Sequence, residues 1–493
     1  VIICSGNGCV AAPLPLQPAL EEASQVIGRM DQNGSARNVS SRTVSCFARQ
    51  LAGAATALML GLGLLLAGVA GAGAQMRLTD NVFFVPDPTA RSVEFQMVVR
   101  AGCSDEANND CRGLAHYLEH LILIGRNADN ASTGLLFFAD GYSNGWTSNR
   151  ATAYIHRFPA RQGEAIADLE KLFAFYINRL QDFEVSAADA ERERRVVRQE
   201  HDQRVASNPF SPFYKDLQAK LIPDHPLGQW PIGTPESIAA MTVEEAKAFH
   251  QRWYSRDNVA FIVQGNLDPA AVKALAEKYT PQMPVRPVPE RAWMSGPTLE
   301  PASLVFRQQK PDVKQLNVSI DRVLRVPEAE GPFGNDPVRL ILGQFLASKL
   351  PGSPHSELVE RQGIANEVSV SLSKLSPGFY QLRLGAQPDG DETPEMLQQA
   401  LERYWQEFLA RGVDASAVER LKRRSAEAWR LDAREPRRLT QRVVDWFTRP
   451  QPFELLEKWP GAVAAVTPED VNSFVRKLDA PIRQVVGILE PGA

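Results

Sequence analysis

The run Arg112-Gly113-Leu114-Ala115-His116-Tyr117-Leu118-Glu119-His120-Leu121 is the stretch from which the chain is best read. It sets two histidines four apart with a carboxylate between them. A helix turns once in about 3.6 residues, so His116 and His120 lie one above the other on one face. Both imidazoles can then reach a single metal ion, and zinc takes histidine nitrogens at about 2.0–2.1 Å. Glu119 borders the same face and can touch a metal-bound water without being a ligand. Ala115, Leu118, Leu121, Ile122 and Ile124 make the helix apolar, which predicts that the polar trio is buried. The competing reading is a surface helix with chance polar spacing. Against it, buried imidazoles and carboxylates need partners, and a metal supplies one.

Composition bounds the rest. The chain has 493 residues, a net charge of −4 and a charged fraction of 23%, which fits a globular protein of about two or three domains. No basic patch or charge run points to nucleic acid. Residues 1–74 read as a leader outside the fold. Arg37, Arg42 and Arg49 precede an apolar run over residues 51–70, and Ala72-Gly73-Ala74 follows as a cleavage site, the layout of a secretory signal peptide. An uncleaved membrane anchor is the alternative, since the apolar run is long. It is apolar throughout rather than amphipathic, which disfavours a mitochondrial transit peptide. Residues 1–29 fit no part of a signal, and Met30 is the expected start of translation.

Three of the five cysteines fall in that leader, leaving Cys103 and Cys111. Eight positions apart and flanking a polar loop, they read as a disulfide formed in an oxidising compartment. The other reading makes Cys111 a zinc ligand, five residues before His116. Export to the periplasm of a Gram-negative cell follows from leader and cysteines together, with no stable membrane insertion after signal cleavage. An inner-membrane protein held by an uncleaved leader is the alternative.

Residues 81–86 and 92–99 have strand composition. Residues 141–154 read as a turn-rich loop running into a strand that continues through Ile155 and His156. A charged helix is predicted from about Ala187 to Ala206 with Ser186 as its N-cap. Glu193 and Glu200 are seven apart on it, two turns, and so share a face. Taken alone, that stripe reads as a solvated surface with i,i+4 ion pairs.

Together these residues carry a resemblance. The order His-x-x-Glu-His is the inverzincin spelling, and Glu200 follows eighty residues after His120. Asn144-Gly145-Trp146-Thr147-Ser148 with Thr152-Ala153-Tyr154, His225-Pro226-Leu227-Gly228 and Ile232-Gly233-Thr234-Pro235-Glu236 add to it. The chain resembles the pitrilysin/insulinase-type (M16) metallopeptidases over essentially its whole length after the leader, and is most similar to the smaller bacterial members related to mitochondrial processing peptidase. The resemblance implies one Zn2+ per chain held by His116, His120 and Glu200, with Glu119 as general base. It implies Glu193 as the residue orienting a ligand histidine and Asn144 as a contact to substrate backbone. The remaining histidines, His156, His201, His225, His250 and His355, have no such constellation and read as ordinary polar positions.

The end of the first half recurs at the end of the second. A helix starting at Thr242 leads to Ala260-Phe261-Ile262-Val263-Gln264-Gly265, and one starting at Thr467 leads to Gln484-Val485-Val486-Gly487. Two copies of one unit are implied, the second without His-x-x-Glu-His. The expected fold is α+β: two homologous α/β units, each an antiparallel-rich sheet packed by helices. Their expected bounds are 75–280 for the zinc-bearing domain and 300–493 for a non-catalytic domain, with a proline-rich linker at 281–299.

The resemblance further implies half of a four-unit clamshell built from two chains, with peptide substrate held as an extended strand on a sheet edge. Its second half usually carries an Arg and a Tyr seven apart. Here Val359 and Asn366 stand at those places. The expectation is therefore the catalytic chain of a heterodimer whose related partner supplies the Arg/Tyr pair. A homodimer in which Arg361 or Tyr380 stands in is the alternative. Two other function classes remain: a non-catalytic scaffold or binding subunit, and a zinc hydrolase of non-peptide substrates.

Overall fold

The computed structural model describes residues 2–4, 9–11, 77–124, 141–161, 163–208, 210–449 and 451–492. Ile2–Cys4 and Cys9–Ala11 pair as a short antiparallel hairpin. The basic stretch, apolar run and cleavage site of the leader lie outside the described residues. Among those described, no helix is long and apolar enough to cross a membrane.

The first sheet comprises β1 (Val82–Pro86), β2 (Ser92–Val99), β3 (Tyr142–Thr147), β4 (Thr152–Pro159) and β5 (Val259–Gly265). Their order is β1-β5-β2-β4-β3. The β1–β5 pair is parallel and the others are antiparallel. The second sheet comprises β6 (Ala302–Lys310), β7 (Asn317–Arg325), β8 (Ala365–Ser376), β9 (Phe379–Pro388) and β10 (Pro481–Pro491). Its order is β8-β9-β7-β10-β6, with β10–β6 its parallel pair. Read from the parallel end, both sheets run first, last, second, fourth, third. The internal repeat is thus present at the level of topology, including the final helix and strand of each copy. Those helices begin with matching capping boxes, at Thr242 and at Thr467, which satisfy the free N–H groups of the first turn.

One expectation is corrected. Residues 142–147 form a strand, β3, rather than a loop. Glycine, serine and asparagine lower strand propensity, but pairing with β4 from Tyr142↔Arg157 to Thr147↔Thr152 supplies the ladder that overrides it. The turn is confined to the tip, residues 148–151. Among the described residues β3 pairs only with β4 and so forms one edge of its sheet.

Helices cover both faces of each sheet. On the first, Phe95 and Phe261 pack against Phe173 and Tyr176 of α2 (Ala165–Gln181). The opposite face buries Phe83, Val85, Val98, Ala260 and Ile262 against Val443, Val444 and Phe447. Those three lie in a helix of the second half, residues 436–447. The second sheet is covered reciprocally: Val323, Val485 and Leu489 pack on Phe213, Leu217 and Leu221 of a first-half helix, residues 210–221. Gly487 makes that approach possible, because a Cβ there would lie 2.3 Å from Leu217 Cδ1. Each half therefore lends the other a helix. The proline-rich segment is pinned along the first half, where Arg291 pairs with buried Asp105 at 2.7 Å and Trp293 donates to the same carboxylate.

Two consequences are measurable. Fragments 75–280 and 300–493 made separately each expose an apolar sheet face and an orphaned helix. Neither should unfold cooperatively alone by circular dichroism, whereas co-expression should restore a cooperative transition. The second concerns acid. His156 and His250 are fully buried, and burial pulls both down to about 4. The unfolded chain binds their protons near 6.5. The stability they confer is thus present above about 6.5 and lost as pH falls towards 4, on the order of 3 kcal/mol each at most. Urea midpoints at pH 7 and pH 5 should show the drop, and His250→Gln should make it shallower.

Candidate metal and active site

The helix α1 (Leu114–Ile124) leaves His116, Glu119 and most of its length buried. Its apolar residues Leu114, Ala115, Tyr117, Leu118, Leu121, Ile122 and Leu123 join the core that it shares with the sheet and with α3 (Ala187–Ser207). Ser186 caps α3 as expected, accepting from the Asp189 N–H at 3.0 Å. Val197 of α3 is buried in the shared core, and Tyr117 of α1 donates to the Ala190 carbonyl at 2.9 Å. These contacts bring the two polar stripes face to face.

Glu200 Oε2 lies 3.4 Å from His116 Nε2 and 3.6 Å from His120 Nε2. All three atoms are within 4.8 Å of one another, the one such group of metal-ligand type among the described residues. Four ligands around zinc at about 2.1 Å stand about 3.4 Å apart, so the donor set fits that ion in spacing and in chemistry. Glu193 Oε2 lies 3.2 Å from His120 Nδ1. Two turns of α3 thus set one carboxylate at each nitrogen of a single ring. Arg204 pairs with the other oxygen of Glu200.

The electrostatics follow from this crowding. The imidazoles of His116 and His120 hold Glu200 well below the usual carboxylate range, and His120 does the same for Glu193. Burial pulls His120 down, but Glu193 and Glu200 outweigh it and raise the ring to about 9. Glu119 goes the other way: its burial pushes the carboxyl up, against His116 and Thr147.

Two residues that sequence reasoning passed over hold Glu119. Thr147 donates its hydroxyl to Glu119 Oε2 at 2.6 Å. A Cβ on Gly145 would lie 2.3 Å from Glu119 Oε1, so glycine leaves room for that oxygen where a larger residue would displace it. Both lie in the stretch quoted for Asn144, and the period of two along a strand was the available signal. Asn144 itself takes the other face of β3, is exposed, and donates to the Tyr142 hydroxyl at 2.6 Å.

Cys103 and Cys111 form a disulfide with Cα atoms 4.8 Å apart, so Cys111 is not in the metal-ligand group. The loop they bracket is not a solvated polar loop, because Ser104, Asp105 and Glu106 are buried. In the second half, Val359 is half-buried against the core and Asn366 is exposed at the start of edge strand β8. Tyr380 is fully buried, donating to Glu328 and accepting from Asn335, which removes it as a surface stand-in for the absent tyrosine. Arg361 is exposed and paired with Glu357.

Two family profiles match in tandem: one described as Insulinase (Peptidase family M16) over residues 81–228, and one described as Peptidase M16 inactive domain over residues 240–425. The chain belongs to peptidase family M16. Within M16 it is 29% identical over 194 residues to an uncharacterised zinc protease of Mycobacterium leprae, covering 39% of this chain and 42% of that one. It is 28% identical over 214 residues to PqqL of Escherichia coli, covering 41% and 22%. The alignments thus span less than half the length of these two curated relatives. Among solved structures, a protease from Helicobacter pylori superposes with a TM-score of 0.67 at 18% identity, covering 84% of this chain and 98% of that one. The periplasmic protease PqqL superposes at 0.68 and 17%, covering 84% and 47%. These two solved structures share the fold of this chain.

The metal set can be tested directly. The purified chain should bind one zinc per molecule by chelator competition, and Glu200→Gln should weaken that binding more than Thr147→Val, whose hydroxyl meets Glu119 and Thr152 and neither histidine.

Proposed function

We propose that this chain is a zinc-dependent endopeptidase acting on peptide bonds of unfolded or short peptides. One observation carries the reading: two imidazoles and a carboxylate converge within 4.8 Å beside a buried, separately held carboxylate. His116, His120 and Glu200 are the residues that would hold the ion. Zinc in such a three-ligand site supplies a Lewis acid that polarises a carbonyl and acidifies water to a pKa of about 7.

The chain's own residues supply the rest. Glu119 takes a proton from the attacking water and returns it to the leaving amine nitrogen. Thr147 occupies Oε2, which leaves Oε1, over Gly145, as the oxygen that carries the proton. Glu193 fixes the His120 ring through Nδ1, the arrangement by which an outer carboxylate sets tautomer and orientation. The edge of β3 that no described strand pairs offers backbone groups beside Glu119, suited to a substrate bound as an added strand, with Asn144 on β3 to hydrogen-bond its backbone.

The chain is read as one half of a clamshell. Support comes from PqqL, of whose length the matched region is 47%, and from Val359 and Asn366 at the places of the expected Arg and Tyr. A related chain would supply that pair, and Arg361 in a homodimer is the other route. The inactive-domain profile bears on residues 240–425 and not on the metal set, so a purely scaffolding role has no support from the first half. A periplasmic location is supported by the disulfide, which needs an oxidising compartment, and by the description of PqqL as periplasmic.

The test is cleavage of unstructured peptides by the purified chain with zinc. Activity should vanish with chelator and fall at least about 100-fold in Glu119→Gln, the size of effect expected for a general base, while zinc content is kept. Bound zinc without cleavage by the chain alone, restored by adding a related M16 chain that carries the Arg/Tyr pair, is the outcome expected for a heterodimer. Zinc-dependent cleavage by a homodimer would overturn that part alone.

A further inference from the structure

The first N–H groups of a helix have no partner within it. At the start of α1 a side chain ten residues before His116 meets one of them and one group just ahead of the helix: Glu106 Oε1 accepts from the Ala115 N–H at 2.9 Å, and Oε2 accepts from the Arg112 N–H, two residues before the helix, at 2.8 Å. Glu106 is buried and forms no ion pair among the described residues. Burial pushes its carboxyl up, while the Ala115, Arg112 and Leu114 N–H groups pull the other way and favour the carboxylate form, in which both oxygens accept. Two oxygens on two N–H groups three residues apart fix where α1 begins and how it is rotated about its axis. His116 follows Ala115 directly, so a rotation of the first turn swings its Nε2 away from Glu200.

Glu106 is itself clamped. The disulfide joins Cys103, three residues before it, to Cys111, the residue before Arg112. Both cysteines are buried, so the bond is set as the chain folds rather than exchanged afterwards.

We propose that Glu106 is a positioning residue for the metal-binding helix, locked by the Cys103–Cys111 disulfide, so that tight zinc binding depends on folding where thiols are oxidised. The proposal rests on the zinc-site reading above. Forming the clamp joins the two sulfurs, and two electrons and two protons pass to an oxidising disulfide partner, which leaves as a dithiol. A chain folded in a reducing compartment keeps both thiols, a looser loop and a weaker metal site, which withholds proteolysis until export.

The experiment measures zinc affinity by competition with a chromogenic chelator on the whole chain, wild type against Glu106→Gln and against Cys103→Ser/Cys111→Ser. Glutamine keeps the size but turns an NH2 towards one of the helix N–H groups. Glu106→Gln should bind zinc about 10–100-fold more weakly, as for other residues that orient ligands, and the double serine variant should shift the same way. In the cobalt(II)-substituted chain the visible absorption of Glu106→Gln should also shift, which a lesion that leaves the ligands undisturbed would not cause. Wild-type affinity in variants that fold, judged by far-ultraviolet circular dichroism without metal, would overturn the proposal. Should Glu106→Gln fail to fold, the double serine variant, with Glu106 intact, decides. A wild-type chain that binds no zinc would instead fail the zinc-site reading.

Discussion

An imidazole offers nitrogens on two edges, and α3 meets both edges of His120 with carboxylates spaced two turns apart. That grip is the constraint on which the rest of the first half depends. It requires α1 and α3 to lie side by side at fixed rotation, with His116 buried and His120 and Glu200 half-buried between them. Charged groups withdrawn from water are tolerated only when paired. Here the pairing is reciprocal: the histidines stabilise Glu200 and Glu193 as anions, and those anions stabilise the His120 cation. A metal ion held by the proposed ligands would exchange that protonated pairing for coordination, because a ligating histidine must be neutral.

Glu119 lies next to this cluster in sequence but in a different setting. It shares the helix with the two histidines, yet its oxygens face β3, where a threonine holds one and a glycine makes room for the other. Helix periodicity thus sorts adjacent residues into two jobs. The three-residue step from His116 to Glu119 keeps the carboxylate near the metal set, and the single step to His120 turns it towards the sheet edge.

What was legible in the sequence was whatever local spacing encodes. The zinc-type helix, the capped α3, the two matching helix–strand endings and the pairing of Cys103 with Cys111 all rest on residues fewer than about thirty apart. Pairing across the chain was harder to read. β3 looked like a loop because its glycine, serine and asparagine argue against a strand, and the ladder that overrules them comes from β4. Glu106 passed as one acid in a polar loop, since nothing local reveals that Arg112 and Ala115 turn their N–H groups back to it. The helices over residues 210–221 and 436–447 are amphipathic in sequence, but which sheet each covers is decided more than a hundred residues away. Gly487 lies within the strand Pro481–Pro491, and its room for Leu217 is set by a residue far away in the chain.

That exchange of helices constrains how such a chain can change by inheritance. Two duplicated units that stay separate can be recombined freely, each bringing its own core. Here the surface that Leu217 needs is encoded beside Gly487, and the surface that Val443 needs is encoded beside Ala260. A crossover within the proline-rich segment would bring together halves whose lent helices and receiving sheets had not diverged in step. The two halves are therefore bound to a shared mutational history, even though, among the described residues, only the first carries the two-histidine, one-carboxylate group.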